Sequence, residues 1–282
     1  MGRTHPHINS RSLFFTLNLL YGIMKRIKSI GLLVTDIGTS PDAKDLGLLK
    51  ASRSMYSEAF VRYDPAIFRR LFHRLLETLN FLEIPEMKAL GKLLCIDGSV
   101  FPAFRTMEWA YYKETANAVK IHLVYNLNRM IPVQFIVTDA NSSEKKALLA
   151  MIEAGVTFIA DRGYVGFSLF DRIARSNAFF IIRIKANMKH TSQEVLTVCI
   201  PPQWQLYVSQ VTDSKIAFSN DKQQSVHRLV PFVASGEYYA IVTNRFDLKT
   251  YEIIMLYAYR WQIELFFSLH QTDIRCPSPL VA

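Results

Sequence analysis

The chain has 282 residues, half of them hydrophobic, which excludes a disordered polymer and suffices to bury the core of one large domain, with or without appendages. A formal net charge of +9 favours a polyanionic partner, because lysine and arginine gain free energy by displacing counterions from phosphates; a merely soluble basic protein is the competing reading. Three cysteines far apart, Cys95, Cys199 and Cys276, exclude a disulfide framework and a four-cysteine zinc site and fit a reducing, cytoplasmic compartment.

Ser12 to Met24 is an apolar patch flanked by Arg11 and by Lys25-Arg26. It has no small-residue cleavage site and is too short to span a bilayer, so it is expected to be a core or docking helix with no membrane role. Residues 1–90 read as a helical region. Asp64-Pro65 predicts a helix start, and Ile67, Leu71, Leu75, Leu76 and Leu79 recur behind it at helical spacing. Arg62, Arg69, Arg70, His73 and Arg74 give that segment a basic side, which suits a DNA contact and a solvated face equally well.

From residue 91 to 187 strands alternate with helices. Lys92 to Ile96 is an apolar run that stops on Asp97-Gly98, and so reads as a buried strand ending in a carboxylate. An ionised carboxylate there is costly unless a cation offsets it, although an Asx turn closing a hairpin would give the same letters. Ala118 to Tyr125 and Ile131 to Val137 predict two strands joined by the turn Asn126-Leu127-Asn128-Arg129. Asn141 and Glu144 resemble a capping box for a helix through Leu148 and Ile152, stopped by Gly155. Val156 to Ala160 is a further strand, ending on Asp161-Arg162-Gly163-Tyr164, and repeats the pattern of apolar strand, aspartate and glycine. A helix (167–176) and a strand (179–184) complete three meander strands followed by crossovers. That is the order of a ribonuclease-H-like α/β sheet, in which neighbouring strands bring Asp97 and Asp161 together.

Residues 188–236 break the alternation and predict an inserted β-rich subdomain, in which Trp204 and Tyr207 are expected to form a small core rather than a base-stacking platform. Residues 237–270 resume the sheet and end in one long helix, Leu248 to His270. At about 100° per residue, Tyr257, Arg260 and Glu264 fall within an arc of about 60° beside an apolar stripe of Leu256, Ile263 and Phe267. Taken alone, an exposed Arg-Glu pair would explain them. Two aspartates and a glutamate, however, supply the oxygen ligands that magnesium and manganese prefer, and phosphodiester chemistry uses such a cluster to hold two metals in line with the reacting oxygens.

With these residues in place the chain resembles the DDE-class insertion-sequence transposases of bacteria, in the branch that cuts through a DNA hairpin. The resemblance covers roughly residues 48–267 and rests on Ile96-Asp97-Gly98-Ser99, Ala160-Asp161-Arg162-Gly163-Tyr164, Thr243-Asn244-Arg245-Phe246 and the run Tyr257 to Phe267. It implies Asp97, Asp161 and Glu264 as the catalytic triad, holding two Mg2+ or Mn2+ ions. It also implies Tyr257, Arg260, Trp261 and Arg162 as DNA contacts, double-stranded DNA (terminal inverted repeats and target) as partner, and a homodimer on that DNA. The ending departs from the pattern, because Gln271 stands where a lysine belongs, Ser268 stands where a basic residue is usual, and 271–282 does not read as a helical continuation. A truncated or frameshifted copy is the expectation drawn from that. A DNA-binding remnant and a host nuclease on the same fold stay open as rivals, whereas a haloacid-dehalogenase-type phosphatase is disfavoured by Cys95, two residues before Asp97.

Overall fold

A computed structural model describes residues 10–23, 29–45, 48, 52–64, 66–103, 107–113 and 116–271. They belong to two compact units, Met1–Asn80 with Leu269–Ala282, and Phe81–Ser268. The expectations for the atypical tail fall on the side chain of Gln271 and on 272–282, which lie outside the described residues, as do Met24, Lys25 and Arg26.

The first unit carries α1 (Ser10–Ile23), α2 (Ile30–Thr39), α3 (Pro41–Asp45), α4 (Arg53–Arg62) and α5 (Ala66–Thr78). Leu13, Phe14, Leu17, Leu33, Ile37 and Tyr56 form its core. Ser29 and Ser52 cap α2 and α4 by accepting the amide protons of Leu32 and Met55, and Asp64 accepts that of Ala66 at the start of α5. The stripe predicted on α5 does not become a core: no residue of that helix is buried, and Leu75 and Leu79 are exposed. No helix among the described residues is long and apolar enough to cross a membrane.

The second unit is built on one sheet. Its elements are α6 (Pro85–Lys88), β1 (Lys92–Ala103), β2 (Tyr111–Lys113), β3 (Ala116–Asn126), β4 (Ile131–Asp139), α7 (Glu144–Leu149), β5 (Val156–Ala160), α8 (Phe167–Arg175) and β6 (Phe179–Arg183). They continue as β7 (His190–Val195), β8 (Val208–Ser209), β9 (Ser214–Phe218), β10 (Val226–Ala234), β11 (Glu237–Thr243), α9 (Thr250–Ala258) and α10 (Trp261–Gln271). Strands β1, β3 and β4 form an antiparallel meander, while β5 and β6 lie parallel to β1 on its other side and are reached through α7 and α8. This is the ribonuclease-H-like arrangement. Every residue of β5 is buried, as expected for a central parallel strand covered on both faces.

Four local expectations change. First, Asp97 does not end its strand: pairing with β5 stops at Cys95 opposite Ile159, but the antiparallel partner β3 carries β1 on to Ala103. Second, the Asn141-Glu144 capping box does not form. Ser143 takes the N-cap position, Asn141 donates to the Tyr111 carbonyl at 3.0 Å, and α7 ends at Leu149. Third, the long late helix breaks at Tyr259-Arg260, where the amides of Arg260, Gln262 and Ile263 bond three residues back instead of four. Fourth, Trp204 is only half-buried and Tyr207 is 69 % exposed, so they make no core. The strands of 188–236 extend the same sheet, in the order β6-β11-β10-β9-β7.

Side chains of β1 alternate between two cores. Leu94 and Ile96 pack with Leu148, Leu169, Phe170 and Ile173 from α7 and α8. Leu93 and Cys95 pack with Ile253, Leu256, Tyr257, Ile263 and Phe267 from α9 and α10. By that alternation Asp97 belongs to the α9–α10 face and Gly98 to the α7–α8 face.

Candidate active site

Asp97 lies two residues past the last β1–β5 pair, and Asp161 directly follows the last residue of β5. Adjacent parallel strands therefore deliver both carboxylates to the same edge of the sheet, the carboxyl ends of its parallel strands. From above, α9 and α10 bring three more groups. The Tyr257 hydroxyl donates to Asp161 Oδ1 at 3.1 Å. Arg260 Nη2 stands 2.5 Å from Glu264 Oε1, and its Nη1 is 3.9 Å from Asp97 Oδ2. The guanidinium also lies over the Tyr257 ring, 5.5 Å from its centroid. Asp97, Asp161, Tyr257, Arg260 and Glu264 thus occupy one cluster, joined through Arg260 and Tyr257.

The remaining sequence-derived residues stand at its margin. Arg162 Nε is 4.0 Å from Asp161 Oδ1 on a half-exposed side chain. Trp261, the first residue of α10, is 58 % exposed.

The electrostatics centre on Asp97, the least exposed of the three carboxylates. Burial pushes Asp97 up to about 6; Arg260 and the Gly98 amide oppose this, and the charges of Glu264 and Asp161 add to it. Burial likewise pushes Tyr257 up to about 12, against the pull of Arg260, so the phenol is a hydrogen-bond donor throughout the neutral range. Burial would lower Arg260, but Tyr257, Glu264 and Asp161 outweigh it and the guanidinium stays charged. Its Nε is buried with no hydrogen-bond partner. Burial holds the Cys95 thiol in its neutral form, so it packs as a small apolar group.

An oxygen-only set of Asp97, Asp161 and Glu264 fits a hard divalent cation in chemistry, and a cation already stands among them in the form of Arg260. The set does not enclose a metal as the side chains lie: among the described residues no three His, Cys, Asp or Glu groups come close enough to hold an ion.

Sequence reasoning gave no role to the residues that brace the opposite edge of the sheet, at the amino ends of its parallel strands. Asn244 accepts the Phe180 amide and donates to the Ala178 carbonyl, acting as a backbone substitute beside β6. Thr243 donates to the Phe180 carbonyl, and Arg245 reaches Thr157 on β5, the Leu90 carbonyl and the Asp247 carboxylate. The signal is the polar run Thr243-Asn244-Arg245 directly after an apolar strand, one of the motifs that carry the resemblance but one to which it attaches no role.

A family model described as a transposase DDE domain matches residues 88–276. A Sinorhizobium fredii protein bearing the name transposase y4zB is 28% identical over 214 residues, covering 75% of this chain and 60% of that protein. A Geobacillus stearothermophilus protein named as a transposase for insertion sequence element IS5377 is 24% identical over 222 residues, covering 77% of this chain and 57% of its own. The chain therefore spans somewhat under two thirds of the length of these curated relatives. Among solved structures, the piggyBac transposase synaptic complex with hairpin DNA aligns with a TM-score of 0.48 and 12% identity, over 96% of this chain and 61% of that one.

Proposed function

The chain belongs to the transposase DDE domain family, and from that premise we propose that it is the transposase of an insertion sequence, cutting phosphodiesters at the element's ends and joining them to target DNA. The observation that carries the reading is the cluster itself: three carboxylates from a central strand, a strand end and a late helix, gathered around one buried arginine. Asp97, Asp161 and Glu264 would hold the Mg2+ or Mn2+ ions, which when bound activate an attacking oxygen and stabilise a leaving one. Tyr257 orients Asp161 through its hydroxyl. Arg260 presents a rigid fork suited to a strand phosphate, and Arg162 and Trp261 offer a cation and an aromatic face where DNA would enter. The Tyr257-Arg260-Glu264 set supports assigning the chain to the hairpin-forming branch, and on this reading it would act as a homodimer on duplex DNA.

The test is nicking of a labelled duplex that carries the element's end, with Mg2+ or Mn2+ and with EDTA. Nicking that needs the metal and disappears in Asp97→Ala and Asp161→Ala is the expected result; nicking that survives both substitutions would sink the assignment. DNA binding without nicking identifies a remnant, and nicking without strand joining identifies a nuclease on this fold.

A further inference from the structure

The catalytic reading uses only one face of the sheet. On the other face a fourth carboxylate lies under the same two strands. Glu144 opens α7, where it fails to cap and instead turns toward the sheet. A Cβ at Gly163 would fall inside its carboxylate, and Glu144 Oε1 lies 3.5 Å from where a Cβ of residue 98 would stand. Gly98 follows Asp97 directly, and Gly163 is two residues after Asp161. The carboxylate therefore fills the space that a side chain at 163 would take and packs in ordinary contact with the position of one at 98, beside each aspartate in turn.

Its charge is held as well as its shape. Lys120, projecting from β3 with only 13% of its side chain exposed, approaches Glu144 Oε1 at 3.6 Å and donates to the Ser142 carbonyl at 3.2 Å. Lys120 Cδ and the buried His122 Nδ1 each lie 3.4 Å from the same missing Cβ at Gly98. Neither glycine is kept by backbone strain, since positive φ among the described glycines occurs at Gly91, Gly155 and Gly236 only. At 163 a side chain would displace this polar wedge, while at 98 a Cβ would meet it at ordinary contact distance.

We propose that Glu144, fixed by Lys120, is a positioning residue for the proposed active site: wedged between Gly98 and Gly163, it sets the separation of the strand segments that carry Asp97 and Asp161. The proposal rests on the reading of those aspartates as metal ligands. A wedge of this kind acts through the ligands without touching the reacting atoms, and removal of outer partners typically weakens metal binding by about 10- to 100-fold.

The experiment measures Mn2+ affinity of the full chain by electron paramagnetic resonance, with folding checked by circular dichroism and thermal melting. The variants are Asp97→Ala, Glu144→Ala, the isosteric Glu144→Gln, Gly163→Ala, and Gly163→Ala combined with Glu144→Ala. Glu144→Ala should weaken Mn2+ binding by roughly 10-fold or more, with Glu144→Gln intermediate because it keeps the shape and loses the charge. Gly163→Ala should be as harmful as Glu144→Ala, and the double variant no worse than either, because both changes disrupt one contact. Unchanged Mn2+ affinity in both Glu144 variants, with binding abolished by Asp97→Ala, would overturn the wedge and leave the aspartate reading intact. Losses that multiply in the double variant would also overturn it. Mn2+ binding that survives Asp97→Ala would overturn the aspartate reading and the wedge together. Should Glu144→Ala melt before measurement, Glu144→Gln and Gly163→Ala decide the matter by the same criteria.

Discussion

Replacing Asp97 by asparagine should make the folded protein more stable at pH 8 when divalent ions are removed. Burial, together with Glu264 and Asp161, lifts this carboxyl from 3.8 to about 6 in the folded state. The folded chain then binds the proton more tightly than the unfolded one, so the associated stability is complete below about pH 4 and is lost as pH rises through 6. Once ionised, the group costs about 3 kcal/mol, and Asp97→Asn should recover most of that. The side chain is 24% exposed, so solvent screening reduces the figure only modestly. For a unit of this size the gain corresponds to a melting temperature higher by about 6–12 °C at pH 8, by about half as much at pH 5, and by little below pH 4. Thermal unfolding followed by circular dichroism in EDTA measures it directly. Added Mn2+ should then raise the melting temperature of the wild type and not that of the variant, as expected when a ligand binds only the folded state with its carboxylates intact. An asparagine variant that melts at or below the wild type at pH 8 would refute the picture of Asp97 as a dehydrated charge in a net negative cluster.

Arg260→Met should destabilise at pH 8 by roughly 2 kcal/mol, less than a fully buried ion pair loses because Glu264 is 40% exposed, and the loss should shrink toward pH 5 as Asp97 takes up its proton; a pH-independent loss would speak against the charge argument. Asp213→Ala should cost about 3–5 kcal/mol, because it strips a buried carboxylate from Arg228, which binds it through Nε and Nη2 at 2.9 and 2.6 Å. The double change Asp213→Leu with Arg228→Met should regain most of that in urea unfolding, and a strictly additive loss would count against it. Binding to duplex DNA should weaken steeply with salt, and a fluorescence-anisotropy titration with near-flat salt dependence would exclude phosphate contacts as its source.

The central sheet was legible because its strands are short apolar runs closed by turn residues. Residues 156–160 emerge as β5 from the letters alone, since a strand buried on both faces must be continuously apolar. The aspartates stood out for the same reason, as charges at the edge of such runs. What the letters could not give were contacts whose partners lie far away in the chain. Ser143 and Asn141 compete for one helix start, and the choice turns on Asn141 reaching Tyr111, thirty residues away. The periodicity from Leu248 to His270 fits a single helix equally well; the break at Tyr259-Arg260 follows from burying a guanidinium between carboxylates on other elements. Glu144 was read as a cap because its local pattern satisfied the rule, while the two glycines that make room for it lie in segments 46 and 19 residues away. The aromatic pair in 188–236 has the composition of a small core, yet Tyr207 remains exposed because those strands join the main sheet and need no core of their own.

The three carboxylates of the cluster are held by three different donors, and that division determines what the cluster lacks. Asp97 accepts the Gly98 amide at 2.9 Å, Asp161 accepts the Tyr257 hydroxyl at 3.1 Å, and Glu264 takes Arg260 at 2.5 Å. An amide and a phenol orient an oxygen but bring no net charge. Of the three donors only Arg260 neutralises, shared between Glu264 and the more distant Asp97, while Arg162 stands 4.0 Å from Asp161 on a half-exposed, solvent-screened side chain. The carboxylates are therefore preorganised in direction and underneutralised in charge, a combination that favours an added cation over a neutral guest. Were such a cation to be held by Glu264 in place of Arg260, the guanidinium would stay buried and would need another anion. Under the proposed function a DNA phosphate would supply one, so cation and strand would be expected to enter the site together, each relieving the charge that the other exposes.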